Sequence, residues 1–262
     1  MNVLKQIREK SPLIHAITNP ISINSCANAA LAVGASPIMA EHPKEVFGIT
    51  KNSDCLLLNL GNITDIRIES MKISAECANL NRVPIVLDLV GVSCSELRYE
   101  FAMHLMEKRN LSVIKGNYSE IYSMYCKNYR SEGVDAEKSV DINMATVAVK
   151  SLALKFNVTV IASGAVDIIA NCEKVIYIHN GTKMLSGITG TGCLLGMIVA
   201  CCMSVDSSTD SAAFACAVLG ICGEFSGSEK GYGSFYTKLW DALSTVDDDM
   251  IEKYKKAEEW EF

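Results

Sequence analysis

Residues 187–196 read GITGTGCLLG and open a strongly apolar stretch. Glycines let a backbone approach a ligand closely, and the first N–H groups of a helix form an anion site. The segment suits a phosphate or a developing negative charge; the alternative is a glycine-rich turn before a packed helix. It is not a Walker A loop, because G-x-x-x-x-G-K-[ST] occurs nowhere in the chain. It also misses G-x-G-x-x-G by one residue, since the third glycine is Gly196. Cys193 stands in the first turn of the expected helix. Helix N-termini favour thiolates, which act as bases or nucleophiles. Read alone, Cys193 is otherwise one more buried cysteine among eleven. Asp88 breaks the apolar run PIVLDLV, and Glu120 follows Gly116-Asn117 at a helix start. Such carboxylates near an anion cradle suit Mg²⁺ bound to a nucleotide, which takes one or two carboxylates plus phosphates and waters. Thr18-Asn19-Pro20 is a turn that could bind a small polar group, and Met39 reads more readily as core.

These residues need elements to hold them. Strands are expected at 13–17, 35–40, 54–60, 84–90, 111–115, 158–163 and 174–179. Several are continuous apolar runs, as strands buried on both faces are. Helices are expected at 22–33, 64–81, 95–108, 118–126, 141–156, 192–204, 208–226 and 235–244, with Asp65 and Asp141 as N-caps. The alternation argues an α/β fold with a mostly parallel central sheet and helices on both faces. No linker or repeat divides the chain, so one domain spans 1–262. Ligands of such sheets sit at the carboxyl ends of the strands. Six segments end in polar or glycine positions there: Thr18-Asn19, Gly61-Asn62, Asp88 with Gly91, Gly116-Asn117, Gly164, and Gly190-Thr191-Gly192-Cys193.

Composition closes off other classes. Hydrophobic residues make up 49% and charged residues 21% of 262, which excludes disorder and coiled coil. The longest apolar runs, such as 194–203, reach about half of the ~20 residues a membrane span needs. No signal peptide is evident, and no membrane partner is expected. The net charge is −6. Residues 241–262 hold eight acids and three lysines, so the rest is nearly neutral and no nucleic-acid binder is expected. The acidic tail reads as a solvated terminal helix. The eleven cysteines form no C-x-x-C and read as reduced core residues, which points to the cytoplasm.

The segments PLIHAITN (12–19), Ala27-Asn28 and LAVGASPIM (31–39) resemble the N-terminal signature of the hydroxyethylthiazole kinase family. So do Leu87-Asp88, Gly91-Val92, Gly116-Asn117 with Ser119-Glu120, Gly190-Thr191-Gly192-Cys193 and Gly233-Ser234-Phe235, in the family's order. Cysteine after G-T-G is telling, because most ribokinase-like relatives carry aspartate there. The resemblance implies a ribokinase-like fold and a homotrimer with sites between subunits. It also implies ATP- and Mg²⁺-dependent phosphorylation of 4-methyl-5-(2-hydroxyethyl)thiazole in thiamin salvage. By the same resemblance, Asn19 and Met39 match thiazole-side positions, and Gly190 a substrate-contacting glycine of the anion hole formed by 190–193. Asp88 and Glu120 match positions near Mg²⁺ and the phosphates; Lys115, Asn117 and Ser163 lie on the ATP side. Cys193 matches the catalytic base. The family's arginine is Lys115 here, which keeps the charge and loses the bidentate fork. Its threonine is Ser163, and its usual prolines are Leu89 and Tyr232. Two rival readings are another ribokinase-like enzyme, such as a hydroxymethylpyrimidine kinase or NAD(P)H-hydrate dehydratase, and a non-catalytic nucleotide- or thiazole-binding protein.

Overall fold

All the expected strands form in the computed structural model, which describes residues 2–127, 129, 140–227 and 230–261. They are β1 (Leu13–Ile17), β2 (Ser36–Ile38), β3 (Cys55–Asn59), β4 (Ile85–Asp88), β5 (Val113–Asn117), β6 (Thr159–Ser163) and β8 (Lys174–Ile178). Two more appear, β7 (Asp167–Ala170) and β9 (Ala257–Glu261). The sheet order is β2-β1-β3-β4-β5-β6-β7-β8-β9. Strands β1 to β6 are parallel, and β7, β8 and β9 follow antiparallel. The expected helices form as α2 (Ile23–Val33), α4 (Asp65–Asn81), α5 (Glu96–Lys108), α6 (Tyr118–Tyr125), α7 (Ile142–Phe156), α9 (Thr191–Met203), α10 (Thr209–Phe225) and α11 (Tyr232–Thr245). Shorter helices add α1 (Val3–Lys10), α3 (Val46–Lys51), α8 (Lys183–Ser186) and α12 (Asp248–Tyr254).

The two-residue period of the strands feeds two cores. Ile14, Cys55, Leu57, Val86, Val113 and Ile161 point to one face, under α1, α2 and α9–α12. Leu56, Leu58, Ile85, Leu87, Ile114 and Val160 point to the other, under α3–α7. Helix α9 is buried along its length from Cys193 to Met203, so apolar residues surround it and it lies at the centre of its layer. From β1 the chain passes by α2 to β2 on one side, then by α3 to β3 on the other. The strand order therefore reverses between β1 and β3, where open α/β sheets leave a crevice.

Two expectations need correction. Thr64, not Asp65, caps α4: its hydroxyl accepts the Arg67 N–H, and Asp65 is the first helical residue. Asp141 caps α7 as expected. The acidic tail is not one solvated helix. It contains the end of α11, then α12, then the edge strand β9, whose residues are all exposed. Backbone pairing with β8 holds β9, helped by Lys174 between Asp210 and Glu259. Asp248 of α12 is buried and reaches the opposite end of the chain. Its carboxylate accepts the Leu4 N–H at 3.0 Å and the Lys5 N–H at 2.9 Å, capping α1 from another helix. Arg8 adds a bond to the Val246 carbonyl at 2.6 Å. Among the described residues no helix is long and apolar enough to cross a membrane, and all eleven cysteines are unpaired.

Candidate active site

Three polar residues stand side by side across the middle of the sheet. Asn59 ends β3, Asp88 ends β4 and Lys115 lies in β5; the register pairs Asn59 with Asp88 and Asp88 with Lys115. Alternation puts all three on the face of Leu57, Val86 and Val113, under α9. None is more than 2% exposed. Lys115 Nζ donates to Asp88 at 3.2 and 3.3 Å and to the Gly192 carbonyl at 2.9 Å, which ties β5 to the first turn of α9. Asn59 Nδ2 donates to Asp88 Oδ2 at 3.0 Å and to Cys193 Sγ at 3.3 Å. Asn19, in the turn after β1, donates to the same sulfur at 3.3 Å and to Asn59 Oδ1 at 3.0 Å. The Cys193 sulfur is thus the acceptor of two side-chain amides. Gly196 lets α9 come this close, since a Cβ there would lie 3.1 Å from Asp88 Oδ2.

The start of α9 has no side-chain cap. Gly190 holds the cap position at φ +89°, a left-handed conformation that glycine adopts without strain. The N-cap residues of α1, α2, α3 and α11 likewise offer no side-chain bond, whereas side chains cap α4–α8, α10 and α12. The first N–H groups of a helix have no partner within it. Those of Thr191, Gly192 and Cys193 meet no backbone or side-chain acceptor among the described residues. The Thr191 hydroxyl turns away and donates to the carbonyls of Leu185 and Ile188 at 3.0 and 3.2 Å, anchoring the loop. Such a helix start can receive an anion on its backbone N–H groups, and Cys193 lies in that first turn.

Glu120 joins the group from α6. It forms a capping box with Asn117: Glu120 N–H donates to Asn117 Oδ1, and Asn117 N–H donates to Glu120 Oε2, each at 2.8 Å. Its other oxygen accepts the Gly91 N–H at 2.8 Å, so it joins the ends of β4 and β5. Burial, and then the nearby Asp88 charge, push the Glu120 carboxyl up, against Lys115 and the two N–H donors. Burial likewise raises Asp88 against its bonds to Lys115 and Asn59. Burial works against the Lys115 ammonium, but Asp88, Cys193 and Glu120 outweigh it and hold its proton more tightly. One ammonium facing two carboxylates leaves an excess of negative charge. Those donors fit a divalent cation. Among the described residues no three His, Cys, Asp or Glu converge as a cage, so such a cation would take most of its oxygens from phosphate and water.

Asn117 and Ser163 are register partners at the ends of β5 and β6, and the Ser163 hydroxyl donates to the Gly116 carbonyl at 3.3 Å. The turn beyond is lashed down by Tyr118, whose hydroxyl donates to the Val166 carbonyl and whose ring lies over Gly164. Asp167 Oδ1 accepts the Gly164 N–H at 3.0 Å. Burial raises its carboxyl to about 7, opposed by that bond and by Lys115. A carboxyl raised on folding contributes stability that is full below its unfolded value near 3.8 and is lost as pH climbs through about 7. Asp167→Asn keeps the acceptor without the charge. The melting temperatures of the two proteins should converge near pH 4 and separate towards pH 7–8, the variant being higher. Parallel curves across that range would refute the assignment.

Met39 is not part of the hydrogen-bonded group. It follows the edge strand β2 and packs half-buried on the α2–α9 core. The neighbouring Ala40 carbonyl is held by His15 Nε2 at 3.0 Å, and burial lowers that histidine's pKa against this bond and the nearby Glu45 charge. The residue missed in the sequence is Asn59. Its signal was present, because it breaks the apolar run DCLLLNL as Asp88 breaks PIVLDLV.

The family model for hydroxyethylthiazole kinases matches residues 4–249. The chain belongs to that family. Hydroxyethylthiazole kinase 2 of Clostridium botulinum strain Hall is 45% identical over 260 residues, covering 97% of each chain. The solved hydroxyethylthiazole kinase structure from Pyrococcus horikoshii superposes with a TM-score of 0.89 at 32% identity, over 98% of this chain and 97% of that one. A ribokinase-like superfamily protein from Enterococcus faecalis matches with a TM-score of 0.63 at 13% identity, over 92% and 87%. That likeness shows the fold, which is ribokinase-like. Like other hydroxyethylthiazole kinases by name, this chain is a kinase, with ATP as its co-substrate.

Proposed function

We infer that this chain transfers a phosphoryl group from ATP to the primary hydroxyl of 4-methyl-5-(2-hydroxyethyl)thiazole. The observation that carries the reading is the uncapped start of α9, where three N–H groups and the amide-bound Cys193 sulfur meet over the buried Asp88–Lys115 pair. The transition state of phosphoryl transfer is loose, so positioning and charge stabilisation supply most of the catalysis. The N–H groups of 191–193, opened by the Gly190 turn, receive the oxygens of the transferred group. Cys193 Sγ takes or orients the proton of the attacking hydroxyl. Lys115 counters the phosphate charge from beneath, and Asn117 and Ser163 flank the nucleotide. Asn19 and Met39 face the thiazole, Asn19 also steadying Cys193. Asp88 and Glu120 would hold Mg²⁺, which supplies charge neutralisation at the phosphates. ATP consumption measured with and without the thiazole alcohol tests the reading. Thiazole-dependent turnover supports it; ATP use indifferent to the alcohol overturns it.

A cytoplasmic setting, with ATP and reduced thiols, suits this chemistry and the unpaired cysteines. We also propose a homotrimer with its sites between subunits. Ile21 and Leu31, before and on α2, and Phe47 and Ile66, on α3 and α4 across the sheet, are large apolar side chains left exposed, surface that a neighbouring subunit would cover. Light scattering at micromolar concentration should give three times the chain mass of 28.4 kDa. A fully active monomer would sink the assignment.

A further inference from the structure

The Asn59 side chain has two acceptor positions and two donor hydrogens, and all four are used. Oδ1 accepts the Gly61 N–H at 2.9 Å and Asn19 Nδ2 at 3.0 Å; Nδ2 donates to Asp88 at 3.0 Å and to Cys193 Sγ at 3.3 Å. Its orientation is not free. The Gly61 backbone group can only donate, so the carbonyl end must face it and the NH₂ end must face Asp88 and the sulfur. The same holds for Asn19, whose Oδ1 accepts the Ser22 N–H at 3.1 Å. Two backbone N–H groups therefore dictate that two amides aim donors at Cys193. Asn59 is fully buried at the end of an otherwise apolar strand. Burying an amide is costly unless each polar atom finds a partner. Its partners here are the acid beneath the phosphates and the sulfur at the anion site.

We propose that Asn59 is a positioning residue that couples the Asp88–Lys115 pair to Cys193, holding the base and the buried charges in one fixed relation during phosphoryl transfer. The proposal rests on the phosphoryl-transfer reading above. Two variants test it, with kcat and both KM values measured alongside melting curves. Asn59→Ala removes both donors, and kcat should fall by ~10²-fold, the effect of losing one preorganised donor, with either KM within a few-fold. Asn59→Asp keeps the shape and the acceptor for Gly61 but points a carboxylate at Asp88 and the sulfur. Its kcat should fall at least as far. The decisive measurement repeats Asn59→Ala in a Cys193→Ala background. If Asn59 acts through Cys193, the further loss there should be under ~5-fold, because residues that act as a unit are not additive. A purely structural role gives the same factor in both backgrounds and overturns the proposal. So does an Asn59→Asp enzyme with wild-type kcat, or a failure of both variants to fold. A wild-type protein without thiazole-dependent turnover would instead remove the underlying reading.

Discussion

Cys193→Ala should lower kcat by about 10²–10⁴-fold, the range a general base contributes, or about 3–5 kcal/mol of barrier. The thiazole KM should stay within a few-fold if the interaction is made mainly in the transition state. Removing the sulfur leaves the N–H groups of 191–193 in place, so the residual rate measures the backbone cradle. Cys193→Ser should not rescue, since an alcohol keeps its proton near neutral pH. Cys193→Asp should restore much of the rate: a carboxylate there would accept from Asn19 and Asn59 as the sulfur does, and would meet a helix N-terminus that favours negative charge. Steady-state and single-turnover kinetics on the three variants check this. Near wild-type kcat in both Ala and Ser, with chemistry limiting, would make Cys193 a packing residue.

The second large effect separates stability from activity at the Asp88–Lys115 pair. Both side chains are almost fully buried, and breaking such a pair from one side leaves a charge without compensation. Asp88→Leu alone should cost about 3–5 kcal/mol, a fall in melting temperature of roughly 10 °C for a chain of this size. Lys115→Met alone should cost a similar amount, since it leaves Asp88 facing Glu120. The double variant should recover most of that stability, because a buried ion pair is readily replaced by apolar side chains. It should remain inactive if, as proposed, the pair supplies charge beneath the transferred phosphoryl. Asp88→Asn, which keeps the shape, should lower turnover by ~10²-fold or more at limiting Mg²⁺. Calorimetry and ATP-consumption assays on the four variants decide. A double variant with substantial turnover would dismiss these residues from the chemistry.

What the sequence disclosed follows from how each residue departs from its surroundings. An acid inside PIVLDLV could only be a paired or functional group, and Asp88 is both buried and paired. Asn59 broke DCLLLNL in the same way, but an amide in an apolar run is less conspicuous than a charge. Gly190 and Cys193 were legible because glycines preceded a helix apolar on every side. The capping box of Asn117 and Glu120 also stood in the open as N-x-x-E, though nothing local could show that the same glutamate reaches Gly91. Strand β7 was hidden by its four-residue length. Strand β9 was hidden because AEEWE offers no buried face; only its pairing with β8 makes it a strand. The meeting of Asn19, Asn59 and Cys193 joins segments up to 174 residues apart, which periodicity cannot report.

The bond from Asp248 to the first turn of α1 bears on the order in which the molecule assembles. Helix α1 has eight residues, too few to persist alone in water. Its cap lies 244 residues downstream, so α1 can only be completed after α12 has been synthesised and docked. The two ends should therefore behave as one cooperative unit that closes late and opens first, with the amides of Leu4 and Lys5 exchanging in step with those of α12. Hydrogen exchange that protects one of these helices and not the other would show that they fold separately.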